Sequence, residues 1–431
     1  MGKCCGAYGI VTHERVLTIA LRGLRTPVRT PRLGAVRIAI AGLLVAAAVI
    51  AGLIVNAQNP GLLFASAAPI FGDWQPHAGP GTPAALLIAF LVIAKGPELA
   101  RHRFALPIAY VTATLWTFSL AMIDGWDRFV TRLTTVDEYL HEVPGVTDIP
   151  AMVTGFTQRI LDFQPDSWTT HVSGHPPGAL LTFVALDRVG LGGGAAASIF
   201  CVLVGSLAVV AIPKAIGDNA VLPFLVLFPG AIWVGASADG MFMGVAAVGI
   251  YLLTRWPLLG GIVLGWCLFL SYGLVLLAPL AIAALWRQGD RFGVIGRRIG
   301  WALAGALAVV AAFAVSGFWW LDGYELVKIR YYQGIGDVRP YWYWVWANLA
   351  ALALVIGPAG VRGLRKDKWI IAAGIAILAA DLSGLSKAET ERIWLPFAVW
   401  LLAGTAKLDR RWLTAQAVTA LAVNHLVLTN W

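Results

Sequence analysis

Apolar residues run along this chain in long stretches, not in the alternation of a half-buried strand or the 3.6-residue stripe of a soluble helix. A membrane-crossing helix needs about 20 such residues. Stretches near that length, some shortened or interrupted by Pro and Gly, lie near 36–56, 83–99, 104–123, 193–213, 220–237, 240–255, 258–271, 273–286, 299–317, 343–360, 368–385, 393–406 and 412–429. The first follows a tail carrying Lys3, Arg15, Arg22, Arg25, Arg29 and Arg32. It exceeds the roughly 7–15 residues of a signal-peptide core, so it reads as an uncleaved helix. The pattern predicts an all-α polytopic membrane protein, with a basic cytoplasmic tail over 1–35 and a transmembrane domain over 36–431. That domain would be a bundle of about 13 transmembrane helices, with long extracytoplasmic loops at 57–82, 124–192, 318–342 and 386–392. The second loop holds an amphipathic stretch over 150–163 and a run of only about a dozen apolar residues over 179–189; both read as interfacial helices.

Composition agrees: 59% apolar residues, a mean hydropathy of +0.75 and 13% charged residues are far from a soluble average. The charges sharpen the picture. The segments that would face the cytoplasm hold 23 of the 32 Lys and Arg but 6 of the 23 Asp and Glu, which is the bias that fixes topology. The formal charge of +9 is therefore a topology signal and an attraction to membrane lipids, and no nucleic-acid partner is implied. An odd span count then puts Trp431 outside. Cys4 and Cys5 fall in the tail and Cys201 and Cys267 in apolar spans, so no disulfide framework is expected. Met1-Gly2 lacks the Ser or Thr that N-acylation expects at position 6, where Gly6 stands.

The chain has no P-loop, no GxGxxG, no CxxC and no HExxH, and neither a cofactor nor a metal is expected. Candidate chemistry lies instead in the outer segments. Asp73, in Phe71-Gly72-Asp73-Trp74-Gln75-Pro76-His77, is the acid of a Pro- and Gly-rich loop. It suits a general base, or else a solvated turn. His171 and His175 precede Pro176-Pro177-Gly178, where two prolines open a helix and hold His175 at its positive end; a structural turn would look the same. The segment Ser386-Lys387-Ala388-Glu389-Thr390-Glu391-Arg392-Ile393-Trp394 offers Lys387 and Arg392 to a phosphate, with Glu389 and Glu391 to hold the guanidinium; it also fits an interfacial belt. Arg330, Tyr332 and Arg339 stand in an aromatic-rich stretch suited to sugar stacking or to a membrane girdle. Asp239 reads as a hairpin-tip acid with a capping or turn role, and Asp381, inside an apolar run, as an acid satisfied by a neighbour.

Taken together, these residues resemble the GT-C glycosyltransferases, polytopic enzymes that use a polyprenyl-phosphate-linked sugar. The likeness rests on Asp73 in the first outer loop, His175-Pro176-Pro177 after the second, Ser237 and Asp239 after a Pro-containing span, and the late Glu391-Arg392-Ile393-Trp394. It covers most of the chain as topology and about twenty residues as motif. The resemblance implies Asp73 as catalytic base and Arg392, Lys387, His175 and Arg330 at the lipid phosphate. His77, His171, Asp239, Tyr332, Arg339, Glu389 and Glu391 would support or contact substrate. Many members carry paired acids in the first loop, whereas Asp73 stands beside His77. The Ala-, Gly-, Val- and Trp-rich character with a basic tail resembles actinobacterial members that add mannose or arabinofuranose to cell-envelope glycans and glycolipids at the plasma membrane. Two alternatives remain open: a transporter or flippase of a lipid-linked saccharide, and a non-catalytic scaffold.

Overall fold

The computed structural model describes residues 31–286 and 289–430. Most of the basic tail, with Cys4, Cys5 and its arginines up to Arg29, lies outside the described residues, as do Arg287 and Trp431. The described chain is nearly all-α in class, as suits a backbone in lipid, which must satisfy its polar groups within its own segment. Five helices are long and apolar enough to cross a membrane: Leu33–Gln58, Thr82–Leu99, Gly194–Ile216, Phe292–Val315 and Tyr341–Gly363. A sixth is possible if Ala105–Ala121 and Trp126–Thr134, bent by 101° at their junction, count as one span. This is the make-up of a membrane protein.

The other predicted spans take shorter forms, for local reasons. Residues 220–237 become Leu222–Val226 and the 3-10 turn Pro229–Val234, since Pro223 and Pro229 lack the amide a continuing helix needs. Residues 221–237 are all buried by protein. Residues 273–286 divide into a 3-10 turn, Tyr272–Leu277, and the helix Ala278–Leu285. Residues 393–406 divide into Leu395–Ala398 and the 3-10 helix Val399–Lys407. The last predicted span is a helix only over Arg410–Leu426, after which Val427–Thr429 pairs antiparallel with Gly72–Trp74. The sequence reading contained no strand. Val427 and Thr429 are β-branched, and the pairing partner lies more than 350 residues away in sequence, beyond any local signal.

The helix Pro177–Arg188 forms where an interfacial helix was expected, but its Gly178, Ala179, Leu180, Phe183 and Val184 face is covered by protein, including the helices Tyr139–Glu142 and Pro257–Leu270. Close packing elsewhere uses small residues, as expected when lipid removes the hydrophobic drive between helices. Gly261 and Gly265, one turn apart, admit the Phe292–Val315 helix so closely that a Cβ on Gly261 would lie 2.0 Å from the Ala302 carbonyl. Tyr341–Gly363 is central: it packs on Pro31–Gln58, on Val399–Lys407 and on Arg410–Leu426, and begins beside the cluster described next.

Candidate functional site

At the end of the bundle where Tyr341–Gly363 begins, Ala388 and Glu389 adopt left-handed backbone angles (φ 67° and 60°) before the short helix Thr390–Ile393. Two consecutive non-glycine residues of this kind are costly, and such strain persists only where surroundings hold it. Here it turns Glu389 back onto Arg392. Arg392 Nη1 donates to Asp239 Oδ2 at 2.5 Å, and Nη2 donates to Glu389 Oε2 at 2.6 Å and to His171 Nε2 at 3.0 Å. Asp239 is held by Ser237, which caps the helix Ala238–Leu253 and accepts the Asp239 amide at 3.0 Å. Glu389 also accepts from Arg339 Nη1 at 2.8 Å, and that same nitrogen donates to the Lys387 carbonyl at 3.0 Å. Lys387 Nζ donates to the Gly336 carbonyl at 2.7 Å and lies 5.3 Å from the exposed Tyr332 ring.

These charges are buried, and each depends on its partner. Burial pushes the Glu389 carboxyl up, but the Arg392 and Arg339 guanidiniums outweigh that and hold it at about 2. Burial alone would lower the Arg392 pKa; Asp239, Glu389 and Glu138 together raise it above its ordinary value. Glu391 differs. It is fully buried, burial pushes its pKa up to about 7, and one oxygen accepts the Phe71 amide at 2.8 Å while the other has no hydrogen-bond partner among the described residues.

His171 receives the Arg392 hydrogen bond on Nε2, so its proton sits on Nδ1, 2.9 Å from the Asp137 carbonyl and 3.5 Å from Glu138. His175 places Nδ1 2.7 Å from the His171 carbonyl and packs against Tyr139 and Phe242. Burial lowers its pKa to about 4 against the pull of Asp239, so at neutral pH it brings no positive charge. Arg330 donates from Nε to Ser173 Oγ at 3.1 Å and pairs with Asp162. Arg392, Lys387, His175 and Arg330 thus gather around one region, each engaged with protein groups.

Asp73 is exposed on the strand Gly72–Trp74, opposite Leu428. Its loop is tied to the cluster at Phe71, whose amide meets Glu391 and whose ring lies 5.1 Å from the Arg339 guanidinium. His77 turns the other way, with Nε2 2.9 Å from Asp124. Sequence reasoning missed Glu138, buried beside His171, and Asp162, the partner of Arg330. Both are ordinary loop acids in sequence, and only their distant partners distinguish them. Asp381 is satisfied as expected, accepting from Asn348 Nδ2 at 2.9 Å. Comparison of the chain with protein-family models, with curated proteins and with solved structures finds no match.

Proposed function

We propose that this protein is a membrane glycosyltransferase of the GT-C kind. It would move a sugar, mannose or arabinofuranose, from a polyprenyl-phosphate donor to a hydroxyl of a cell-envelope glycan or glycolipid. The work would be done on the extracytoplasmic face of the plasma membrane, on a bundle of about 13 spans counting the broken ones. One observation carries the reading: the four segments behind the resemblance converge. Arg392 bonds both Asp239 and His171 across more than 150 residues of sequence, and Glu391 holds Phe71, two residues before Asp73. Separate interfacial belts would have no reason to meet through buried ion pairs, which are costly to assemble.

In this reading Asp73 takes the proton as the acceptor oxygen attacks the anomeric carbon, and the lipid phosphate leaves with the electrons of the broken C–O bond. Arg330 and Lys387, at the edge of the cluster, approach that phosphate. Arg392, already committed to Asp239 and Glu389, is a positioning residue that fixes the elements around it. Tyr332 offers an exposed ring for a sugar face. Incubating the purified protein with a radiolabelled polyprenyl-phosphate sugar and a glycan acceptor tests the reading. Transfer of label to the acceptor is expected, and its absence across mannose and arabinofuranose donors would defeat it.

A further inference from the structure

At the corner where Ala105–Ala121 gives way to Trp126–Thr131, two guanidiniums share one acceptor. Arg128 Nη2 and Arg132 Nη2 each lie 2.5 Å from the Thr429 carbonyl oxygen. A neutral carbonyl cannot balance two positive charges. Among the described residues the carboxylate paired with Arg128 is Asp124, 3.6 Å from its Nε and shared with His77 at 2.9 Å. Glu138 acts on Arg132 through space, as Asp124 does, but its ion-pair partner is His171. Arg128 Nε is buried with no hydrogen-bond partner, and among the described residues the Arg132 guanidinium has no hydrogen bond other than the one to Thr429.

The same side chains line a cleft whose empty space, open solvent included, is about 300 Å³. Its walls are divided. Arg128, Arg132, Asp124 and Asn424 supply polar groups, while Leu120 and Ile232 supply apolar surface. Trp126, half exposed at the same corner, is of the type that settles at a membrane surface. Asn424 spends its amide on the Leu120 carbonyl at 2.9 Å, which fixes the wall rather than filling the cleft.

We propose that Arg128 and Arg132 form a binding site for a phosphate group carried on an apolar chain, at the corner of the bent helix pair and separate from the Arg392 cluster. Two forks on consecutive turns can grip a phosphate from two sides, and the apolar wall accommodates the first carbons of its chain. The site does not depend on the glycosyltransferase reading. A lipid headgroup and a free phosphate share this chemistry, and the apolar wall favours the lipid.

The probe is hexyl phosphate, titrated calorimetrically against the full chain in nanodiscs of neutral lipid, with inorganic phosphate as the second arm. Wild type is expected to bind hexyl phosphate, and Arg128→Gln or Arg132→Gln to weaken it by about tenfold or more, the effect of losing one charge-assisted hydrogen bond. Asp124→Asn, which removes the competing carboxylate, is expected to tighten it. Hexyl phosphate binding better than inorganic phosphate supports a lipid source; equal affinities support a free-phosphate site with the same residues. Should the arginine variants not fold, Asp124→Asn decides alone. No binding by wild type, or unchanged affinity in every variant that folds, overturns the site.

Discussion

Arg392 is the residue on which the buried cluster depends most. Replacing it with Ala leaves Asp239 buried without its counter-ion and Glu389 with Arg339 alone, and breaking such a buried pair from one side costs about 3–5 kcal/mol. Arg392→Lys should recover only part, because one ammonium cannot reproduce a fork that reaches Asp239 through one nitrogen and Glu389 and His171 through the other. Thermal unfolding in detergent measures both; an Ala variant as stable as wild type would show that the network carries no net stability. Glu391 yields a pH effect. Its folded pKa of about 7 stands above the ordinary 4.5, so between those values the native state binds more protons than the unfolded chain. Stability from this group is therefore full below about pH 4.5 and is lost as pH rises to about 7, by an amount on the order of 3 kcal/mol. Glu391→Gln should flatten that slope, and an unchanged slope would remove Glu391 as its source. Asp73→Asn, under the proposed mechanism, should lower turnover by about 10²–10⁴-fold with folding intact, and a variant keeping more than half the rate would remove Asp73 from the chemistry. At this scale the sequence revealed which residues were unusual but not how they pair. Glu389, Glu391 and Arg392 stood out as charges crowded beside a span, whereas the bond from Arg392 to Asp239 joins positions 153 apart and leaves no local trace.

The helix Tyr341–Gly363 shows how an element absorbs a break. Gly357 takes φ 65° and ψ 176°, and Pro358 follows without an amide to donate. Gln416, on the helix Arg410–Leu426, repairs the gap from outside. Its Nε2 donates to the Ile356 carbonyl at 3.0 Å and its Oε1 accepts the Ala359 amide at 3.1 Å. Gln416→Leu would strand both backbone groups in a buried site, each at a cost of about 1–3 kcal/mol. It should lower the thermal midpoint more than substitution of the neighbouring exposed Val418; equal shifts would show that the backbone relaxes without help. Gly357→Ala should be as damaging, since its Cβ would fall 2.1 Å from Gln416 Oε1 at a backbone angle that disfavours side chains. The Gly-Pro pair was visible in the sequence as an interruption of an apolar run. That a glutamine sixty residues later completes it was not, because a lone Gln in a final apolar stretch looks like any polar residue facing a neighbour. Pro223 and Pro229 likewise mark in the sequence where 220–237 is interrupted, whereas the change to a 3-10 helix at Val399 has no proline at the break.

Across the whole molecule, the charges at the two ends of the bundle differ in kind. At one end Lys368 donates to the carbonyls of Ala283 and Trp286, Arg37 reaches the Leu364 carbonyl, and Arg410 pairs with Glu98; these are basic groups tying down helix termini. At the other, acids and bases interlock in the Arg392 cluster. Tyr341–Gly363, 23 residues or about 34 Å long, runs between the two, from just after Arg339 to just before Arg365. In the proposed orientation, the bias of Lys and Arg toward the first end would put it in the cytoplasm, and with it Arg291 and Lys366. Asp73, His175, Arg330 and Glu391 fall on the far side, linked to one another through Phe71, Arg392, His171 and Ser173. Exposure decides which positions can report it. Glu391 is fully buried and a cysteine there would stay silent, whereas Asp73, Phe163, Arg291 and Lys366 are exposed. In a background with Cys4 and Cys5 replaced, cysteines at 73 and 163 should react with an impermeant thiol reagent in intact cells. Those at 291 and 366 should react only after permeabilisation. Reaction at 366 from outside would invert the map and move the cluster to the cytoplasmic face, where a donor displayed on the outer leaflet could not reach it.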